Sequence, residues 1–236
     1  LEGSANWTLT AKLSAQLTGN IGLTTYRYSL IDSPKPRTAV PVAHDLYSQS
    51  YRVDVNYSGS ERFSSKVGLQ VSRSQYVNLP AASTASNSEA HTYRADWRWT
   101  FRLLDGLTAT QQNLVSADYS YYPFAPTSNR LSLDYGTLTT LNAVLTPRFT
   151  VDVTHNARLQ PRGNYRPQAP KDPTEYFSRA EENRNYSLSS RMAYAPIPAI
   201  SIELRPEYLT SIRNTTRDEA LVPQRSSKSL KLSGGA

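Results

Sequence analysis

The stretch Tyr93-Arg94-Ala95-Asp96-Trp97-Arg98-Trp99-Thr100-Phe101-Arg102-Leu103 decides how this chain folds. Tyr93, Ala95, Trp97, Trp99, Phe101 and Leu103 take every second position, and Arg94, Asp96, Arg98, Thr100 and Arg102 fill the gaps. Side chains along a strand alternate between two sides, so this period builds an extended segment with one apolar and one charged face. On a helix the same residues would scatter around the axis.

The period recurs on both sides of this stretch. Trp7, Leu9, Ala11, Leu13 and Ala15 alternate with Thr8, Thr10, Lys12, Ser14 and Gln16; Phe149, Val151 and Val153 alternate with Arg148, Thr150, Asp152 and Thr154; Ile200, Ile202, Leu204 and Tyr208 keep one parity against Ser201, Glu203, Arg205 and Glu207. The pattern predicts strands over 7–16, 20–30, 50–57, 63–78, 91–103, 107–121, 129–143, 147–159, 185–194 and 199–213, with an eleventh beginning near 227. A parity slip between Ile21-Leu23 and Tyr26-Tyr28 suggests a bulge within 20–30.

Composition agrees with this reading. The 236 residues include 16 Tyr, 15 Pro, one Met and no Cys. Tyr and Thr favour strands and Pro punctuates loops. Without Cys there is no disulfide scaffold and no thiolate metal, haem or iron–sulfur site. Mean hydropathy is −0.55, and no run approaches the roughly 18 apolar residues of a spanning helix. The sequence starts Leu1-Glu2-Gly3-Ser4, with neither the basic nor the apolar region of an export signal.

The connections alternate in length. Short ones are expected at 17–19, 58–62, 104–106, 144–146 and 195–198, where Gly19-Asn20, Ser58-Gly59-Ser60 and Asp105-Gly106 supply hairpin chemistry. Long ones are expected at 31–49, 79–90, 122–128, 160–184 and 214–226, and these hold 11 of the 15 Pro. The expected chain is a meander of hairpins, tight at one end and loose at the other.

Most predicted strands exceed the five or six residues usual in soluble sheets and supply the roughly 9–11 residues of a tilted bilayer-crossing strand. In these features the chain resembles Gram-negative outer-membrane β-barrels. The resemblance is to the class and extends over nearly all of residues 1–236, read as one domain. It implies an all-β fold, an antiparallel up-and-down transmembrane barrel or a segment of a larger one, with 10–11 strands visible. Tyr51, Tyr93, Tyr119, Tyr121, Tyr186 and Tyr208 on the long-loop side, and Tyr57 and Tyr194 on the other, fit the aromatic girdles of that class. The chain ends Gly234-Gly235-Ala236, without the terminal aromatic usual in the class. Together with the uneven strand count, this points to a piece of a larger barrel, or to a barrel whose last strands lie beyond this sequence.

In such a barrel one parity meets lipid, with Trp97, Trp99, Phe101, Leu133, Val151 and Ile202 as the expected lipid-facing residues. The other parity lines the lumen. Its expected basic residues are Lys12, Arg52, Lys66, Arg94, Arg98, Arg102, Arg130, Arg148, Arg158, Arg191, Arg205 and Arg213. Its expected acidic residues are Asp54, Asp96, Asp118, Asp134, Asp152, Glu203 and Glu207. The long loops 31–49 and 160–184 are nearly balanced, so most of the net charge of +7 falls on the wall. Two readings stand side by side: a structural ladder of opposite charges, or a basic lumen that selects anions or holds an acidic plug.

Nothing in the chain points to catalysis. His44, His91 and His155 lie far apart, and no Gly-rich phosphate loop occurs. Glu181-Glu182 with Asp172 and Glu175 could offer carboxylates to Ca²⁺, but Arg179 and Arg184 beside them argue for a solvated loop. Four glycosylation-like triplets, at Asn6, Asn56, Asn185 and Asn214, read as chance matches. Nucleic acid is not an expected partner, because the aromatics lie on the opposite parity from the cations. The expectation is a non-enzymatic outer-membrane barrel without a cofactor. It would pass solutes or serve in a larger envelope complex, with lipid, other envelope proteins or further strands as partners. The rival is a water-soluble extracellular β-sheet protein for adhesion or structure.

Overall fold

A computed structural model describes residues 1–26, 44–78, 87–167, 175–197, 200–217 and 220–235. They form one antiparallel sheet of eleven strands in chain order. The strands are β1 (Glu2–Thr10), β2 (Leu13–Tyr26), β3 (His44–Ser60), β4 (Phe63–Asn78), β5 (Ser88–Leu104) and β6 (Leu107–Tyr121). They continue as β7 (Arg130–Thr146), β8 (Phe149–Pro167), β9 (Glu175–Ile197), β10 (Ile200–Arg217) and β11 (Ala220–Gly235). The only helical piece among the described residues is a 3-10 turn at Pro126–Ser128. Each strand pairs with its neighbours in sequence, while β1 and β11 each keep one unpaired edge.

At one end four hairpins close with two-residue turns, at Ala11-Lys12, Glu61-Arg62, Asp105-Gly106 and Pro147-Arg148. Gly106 has φ of +82°, a region costly for any other residue, and a Cβ there would lie 2.7 Å from the Val144 carbonyl oxygen. The Asp105-Gly106 turn falls where the hairpin residues predict it, and the Glu61-Arg62 turn falls within the expected connection 58–62, just after Ser58-Gly59-Ser60. Gly19 and Asn20 lie inside β2, which pairs with β3 in unbroken register through Tyr26, so no bulge interrupts 20–26, and 27–30 lie outside the described residues. Ser58, Gly59 and Ser60 complete β3. Strands extend into four of the five expected long connections, 122–128 excepted. β3 starts at His44, and β8 and β9 together take up most of 160–184. Residues 31–43 and Asp172 lie outside the described residues.

The two faces differ sharply. One carries Val67, Leu69, Tyr93, Trp97, Trp99, Phe101, Val151, Val153, Ile202 and Leu204, and the other carries the charges. Among the described residues no second sheet covers the apolar face. Among the described Ala, Val, Leu, Ile, Met and aromatic residues only Ala143 is buried, while Trp97 and Trp99 are each 38 % exposed. A continuous apolar surface of this extent marks contact with something other than water.

The apolar side chains form a band of constant height. It runs from Phe63 to Val71 in β4, Tyr93 to Leu103 in β5, Phe149 to Leu159 in β8 and Ile202 to Ile212 in β10, nine to eleven residues in each. With a rise of ~3.3 Å per residue and the usual tilt, this is about 25 Å, the height of the outer apolar belt of membrane barrels. Aromatic clusters edge the band. Tyr57, Phe63, Phe101 and Trp99 neighbour one another at the tight-turn end, as do Phe149 and Tyr194. His91, Tyr93, Tyr119, Tyr121 and Tyr165 gather at the other end.

Above that second edge the strands continue and the outer face becomes polar. Arg73 Nε lies 2.7 Å from Glu89 Oε1, and His91 Nε2 lies 2.6 Å from the same oxygen. Burial pushes the Glu89 carboxyl up, but the hydrogen bond and charge of Arg73, with His91, outweigh it and hold the group below the ordinary carboxylate range. Further round, Glu182 is 1 % exposed and is bound by Arg179 Nη1 at 2.7 Å and by Arg184 Nε. Glu182 and Arg184 are thus strand residues in an ion-pair cluster, and not part of the solvated loop the sequence suggests.

Candidate functional site

The polar face gathers the chemistry. Its organising node spans three strands. Asp54 of β3, Gly68 of β4 and Asp96 of β5 stand in register on one rung. Arg52 Nε donates to Asp54 Oδ2 at 2.8 Å and Nη2 to Asp54 Oδ1 at 2.9 Å. The same guanidinium reaches across β4, with Nη1 3.1 Å from Asp96 Oδ1 and Nη2 3.2 Å from Oδ2. Gly68 makes the crossing possible, since a Cβ there would sit 2.3 Å from Arg52 Nη2 and 2.9 Å from Asp96 Oδ2. Bidentate pairing at both ends fixes the fork more firmly than a single surface ion pair would.

Similar units follow around the sheet. Arg158 of β8 binds Asp134 of β7 through Nε and Nη2. Arg191 of β9 and Arg205 of β10 converge on Glu203, with Arg205 Nε at 2.8 Å. Arg213 Nε lies 3.0 Å from Glu181 Oε1. Asp118 accepts from Thr92 Oγ1 at 2.7 Å, and Asp152 accepts from Asn142 Nδ2. Glu207 faces Ser189 and Lys231 across the ladder.

Two expected wall residues are not on the wall. Lys12 and Arg148 belong to two-residue turns, where Lys12 Nζ donates to the Gly59 carbonyl at 2.9 Å and Arg148 Nη1 to the Pro196 carbonyl at 2.8 Å. Turn residues tie neighbouring hairpins together and project no side chain along the ladder. Arg52, Arg94, Arg98, Arg102, Arg130, Arg191 and Arg205 share the polar face with Asp54, Asp96, Asp134, Asp152, Glu203 and Glu207. The face also holds Arg162, Glu181, Arg225 and Lys231, assigned to loops or to an unplaced strand by the sequence pattern. Trp97, Trp99, Phe101, Leu133, Val151 and Ile202 all lie on the opposite, apolar face.

Besides Lys228 of β11, which stands opposite Thr210, the apolar face carries a cluster of polar residues at mid-band. Gln111 and Asn113 of β6, Thr137 and Thr139 of β7 and His155 of β8 occupy two adjacent rungs in the middle of the band. Trp99 Nε1 donates to Gln111 Oε1 at 3.0 Å, and Gln111 Nε2 to Asn113 Oδ1 at 3.2 Å. The Thr137 hydroxyl is buried without a hydrogen-bond partner. His155 is mid-strand, 5.0 Å from the Tyr186 ring. On the polar face Leu114 and Leu138 fill the matching positions. Among the described residues no group of three or more His, Asp or Glu could hold a metal ion.

Comparison with known proteins gives fold and no family. No family model matches the chain, and no curated protein matches it. Solved structures do. A ferric enterobactin receptor, PfeA, from Pseudomonas aeruginosa superposes with a TM-score of 0.63 at 12 % identity, covering 97 % of this chain and 37 % of that one. The outer membrane transporter YddB from Escherichia coli gives 0.59 at 11 % identity, covering 99 % of this chain and 35 % of the other. The chain therefore spans little more than a third of the length of either structure. Its fold is an open, eleven-stranded section of the outer-membrane β-barrel architecture.

Proposed function

We propose that this sheet is part of the wall of an outer-membrane β-barrel, with its apolar band against lipid and its charged face lining the lumen. The carrying observation is the band itself: nine to eleven residues of each strand with apolar side chains on the outward-facing alternate positions, edged by aromatics, on a sheet whose apolar face no other described element covers. In hydrocarbon an unpaired strand edge is costly, so the free edges of β1 and β11 call for further strands that close the barrel. Large outer-membrane transporters carry 22 strands, twice the number here.

The wall acts without catalysis. It either lines a path for solutes or forms the barrel component of a larger envelope assembly, with lipid and envelope proteins as its partners. Its ion-pair ladder keeps the polar residues rigid, and the cations left over give the lumen a positive character. Two measurements test this. Trp97 and Trp99 fluorescence should be quenched by brominated acyl chains, and the folded chain from a membrane fraction should migrate heat-modifiably on SDS gels. A chain that stays folded and soluble without detergent would favour the extracellular, water-soluble alternative. For the lumen, Arg94, Arg98 and Arg102 changed together to Gln should reduce anion preference in planar bilayers. An unchanged preference would remove the selective-lumen reading and leave the ladder.

A further inference from the structure

The ladder does not neutralise every cation, and the residue is local. Lys66 of β4 stands directly opposite Arg98 of β5 on the polar face. Like charges in that relation repel. Their rung contains no acid, since Asn56 flanks Lys66 and Gln112 flanks Arg98. The carboxylates of the rung above are already held by Arg52. Lys66 Nζ reaches only to 3.5 Å from Asp54 Oδ1. Arg98 has no ion pair or side-chain hydrogen bond among the described residues. Arg94, the next cation along β5, lies 3.6 Å from an Asp96 oxygen that Arg52 already uses.

The surroundings offer donors and space. The rung below Lys66 and Arg98 carries Ser58, Ser64 and Thr100. A depression of about 300 Å³ is lined by Asn56, Ser58, Ser64, Lys66, Arg98 and Thr100. A second, of about 420 Å³, lies on the other side of the same two cations and is lined by Arg52, Arg94 and Gln112 among others. Lys66 and Arg98 thus project between two hollows, with hydroxyls on one side and, on the other, further guanidinium groups together with the Asp96 carboxylate that Arg52 already binds.

We propose that Lys66 and Arg98 form a binding site for a phosphate-type oxyanion on the charged face. A dianion matches the two opposed cations in charge and replaces their repulsion with two attractions. Its four oxygens can use the Lys66 ammonium, the Arg98 fork and the Ser58, Ser64 and Thr100 hydroxyls at once, whereas a carboxylate has only two oxygens to offer. The site requires the charged face to meet water and does not depend on what covers the apolar face.

The test is calorimetric titration of inorganic phosphate into the full chain in dodecyl maltoside, against chloride at equal ionic strength. Saturable binding of about one phosphate per chain is expected. Lys66→Gln and Arg98→Gln should each weaken it about tenfold, the loss of one charge-assisted contact, while Lys228→Gln on the opposite face leaves it unchanged. Unfolding supplies a second readout. In chloride Arg98→Gln should unfold at a guanidinium concentration no lower than the wild type, since it removes a repulsion, and in saturating phosphate the wild type should overtake it. Binding no stronger than that of chloride, binding retained in both variants, or an Arg98→Gln chain weaker already in chloride would each overturn the site. A phosphatidylglycerol arm in phosphate-free micelles separates the sources: competition with phosphate identifies a lipid headgroup, and its absence a free anion. Heat-modifiable migration tests the membrane reading separately, so one can fail without the other.

Discussion

Placing a charge at different depths of the apolar band tests the membrane reading most directly. In β8 the band runs from Phe149 to Leu159, and Val153 lies four residues above its lower edge, on the outer face beside Leu141 and Ser190. At ~3.3 Å per residue and a tilt near 40° this is about 10 Å in, close to the middle of a 25 Å belt. Val153→Arg should therefore cost about 2–4 kcal/mol, the penalty for a lipid-facing cation at mid-depth, whereas Leu159→Arg at the upper edge should cost about 0–1 kcal/mol. Thr154→Arg, one residue along on the charged face, should stay within about 0.5 kcal/mol of the wild type. The assay is reversible guanidinium unfolding in phospholipid vesicles, followed by Trp fluorescence. Equal small costs at all three positions would refute the reasoning, because that is the behaviour of a sheet wetted on both sides. A cost at Val153 that is as large in detergent-free buffer would point to burial against protein.

Four further outcomes follow from particular contacts. Gly68→Ala should cost about 1–2 kcal/mol by driving Arg52 off Asp96, and in an Arg52→Gln background the same change should cost almost nothing; additive losses in the double-mutant cycle would contradict this. Thr137→Val should stabilise the protein in vesicles by about 1 kcal/mol, since it deletes a buried, unpartnered hydroxyl at constant shape; a loss would mean that something in the membrane bonds to it. Glu182→Ala should cost about 2 kcal/mol by leaving Arg179 and Arg184 without their shared acceptor, read as faster hydrogen exchange in the upper part of β9 than in its lower half. Because the Glu89 carboxyl is held below its ordinary value of 4.5, its contribution is full above that pH and is lost as pH falls through the folded value; Glu89→Gln should flatten the acid limb of the stability curve in that window.

The meander and its two faces were legible because alternation is strict wherever one side of a strand meets an apolar medium. Legibility failed where that condition failed. Above the band both sides of β8 and β9 are polar, so Arg162, Arg179, Glu181 and Glu182 lose the period and look like loop. Glycine misled for a different reason. Gly19 reads as a turn, yet it sits opposite Tyr51, and a Cβ there would come within 3.2 Å of that ring; Gly59 likewise leaves room for the Tyr57 ring. These glycines accommodate aromatic side chains in a strand and do not reverse the chain. The role of Gly68 depends on a guanidinium arriving from a neighbouring strand, which only the three-dimensional register reveals. The mid-band polar group escaped notice because Gln111, Asn113, Thr137, Thr139 and His155 are scattered over three strands in sequence.

The extension of β8 and β9 past the aromatic edge has a consequence for anything approaching from that side. Their pairing continues from Leu159 opposite Arg184 to Pro167 opposite Glu175, so this rim is hydrogen-bonded backbone braced at its base by the Glu182 cluster. A visiting molecule would meet a stiff, pre-shaped wall. It would avoid much of the ordering entropy that flexible contact segments impose, roughly 0.5–1.5 kcal/mol per immobilised side chain, and the contact surface would be set by folding before any encounter.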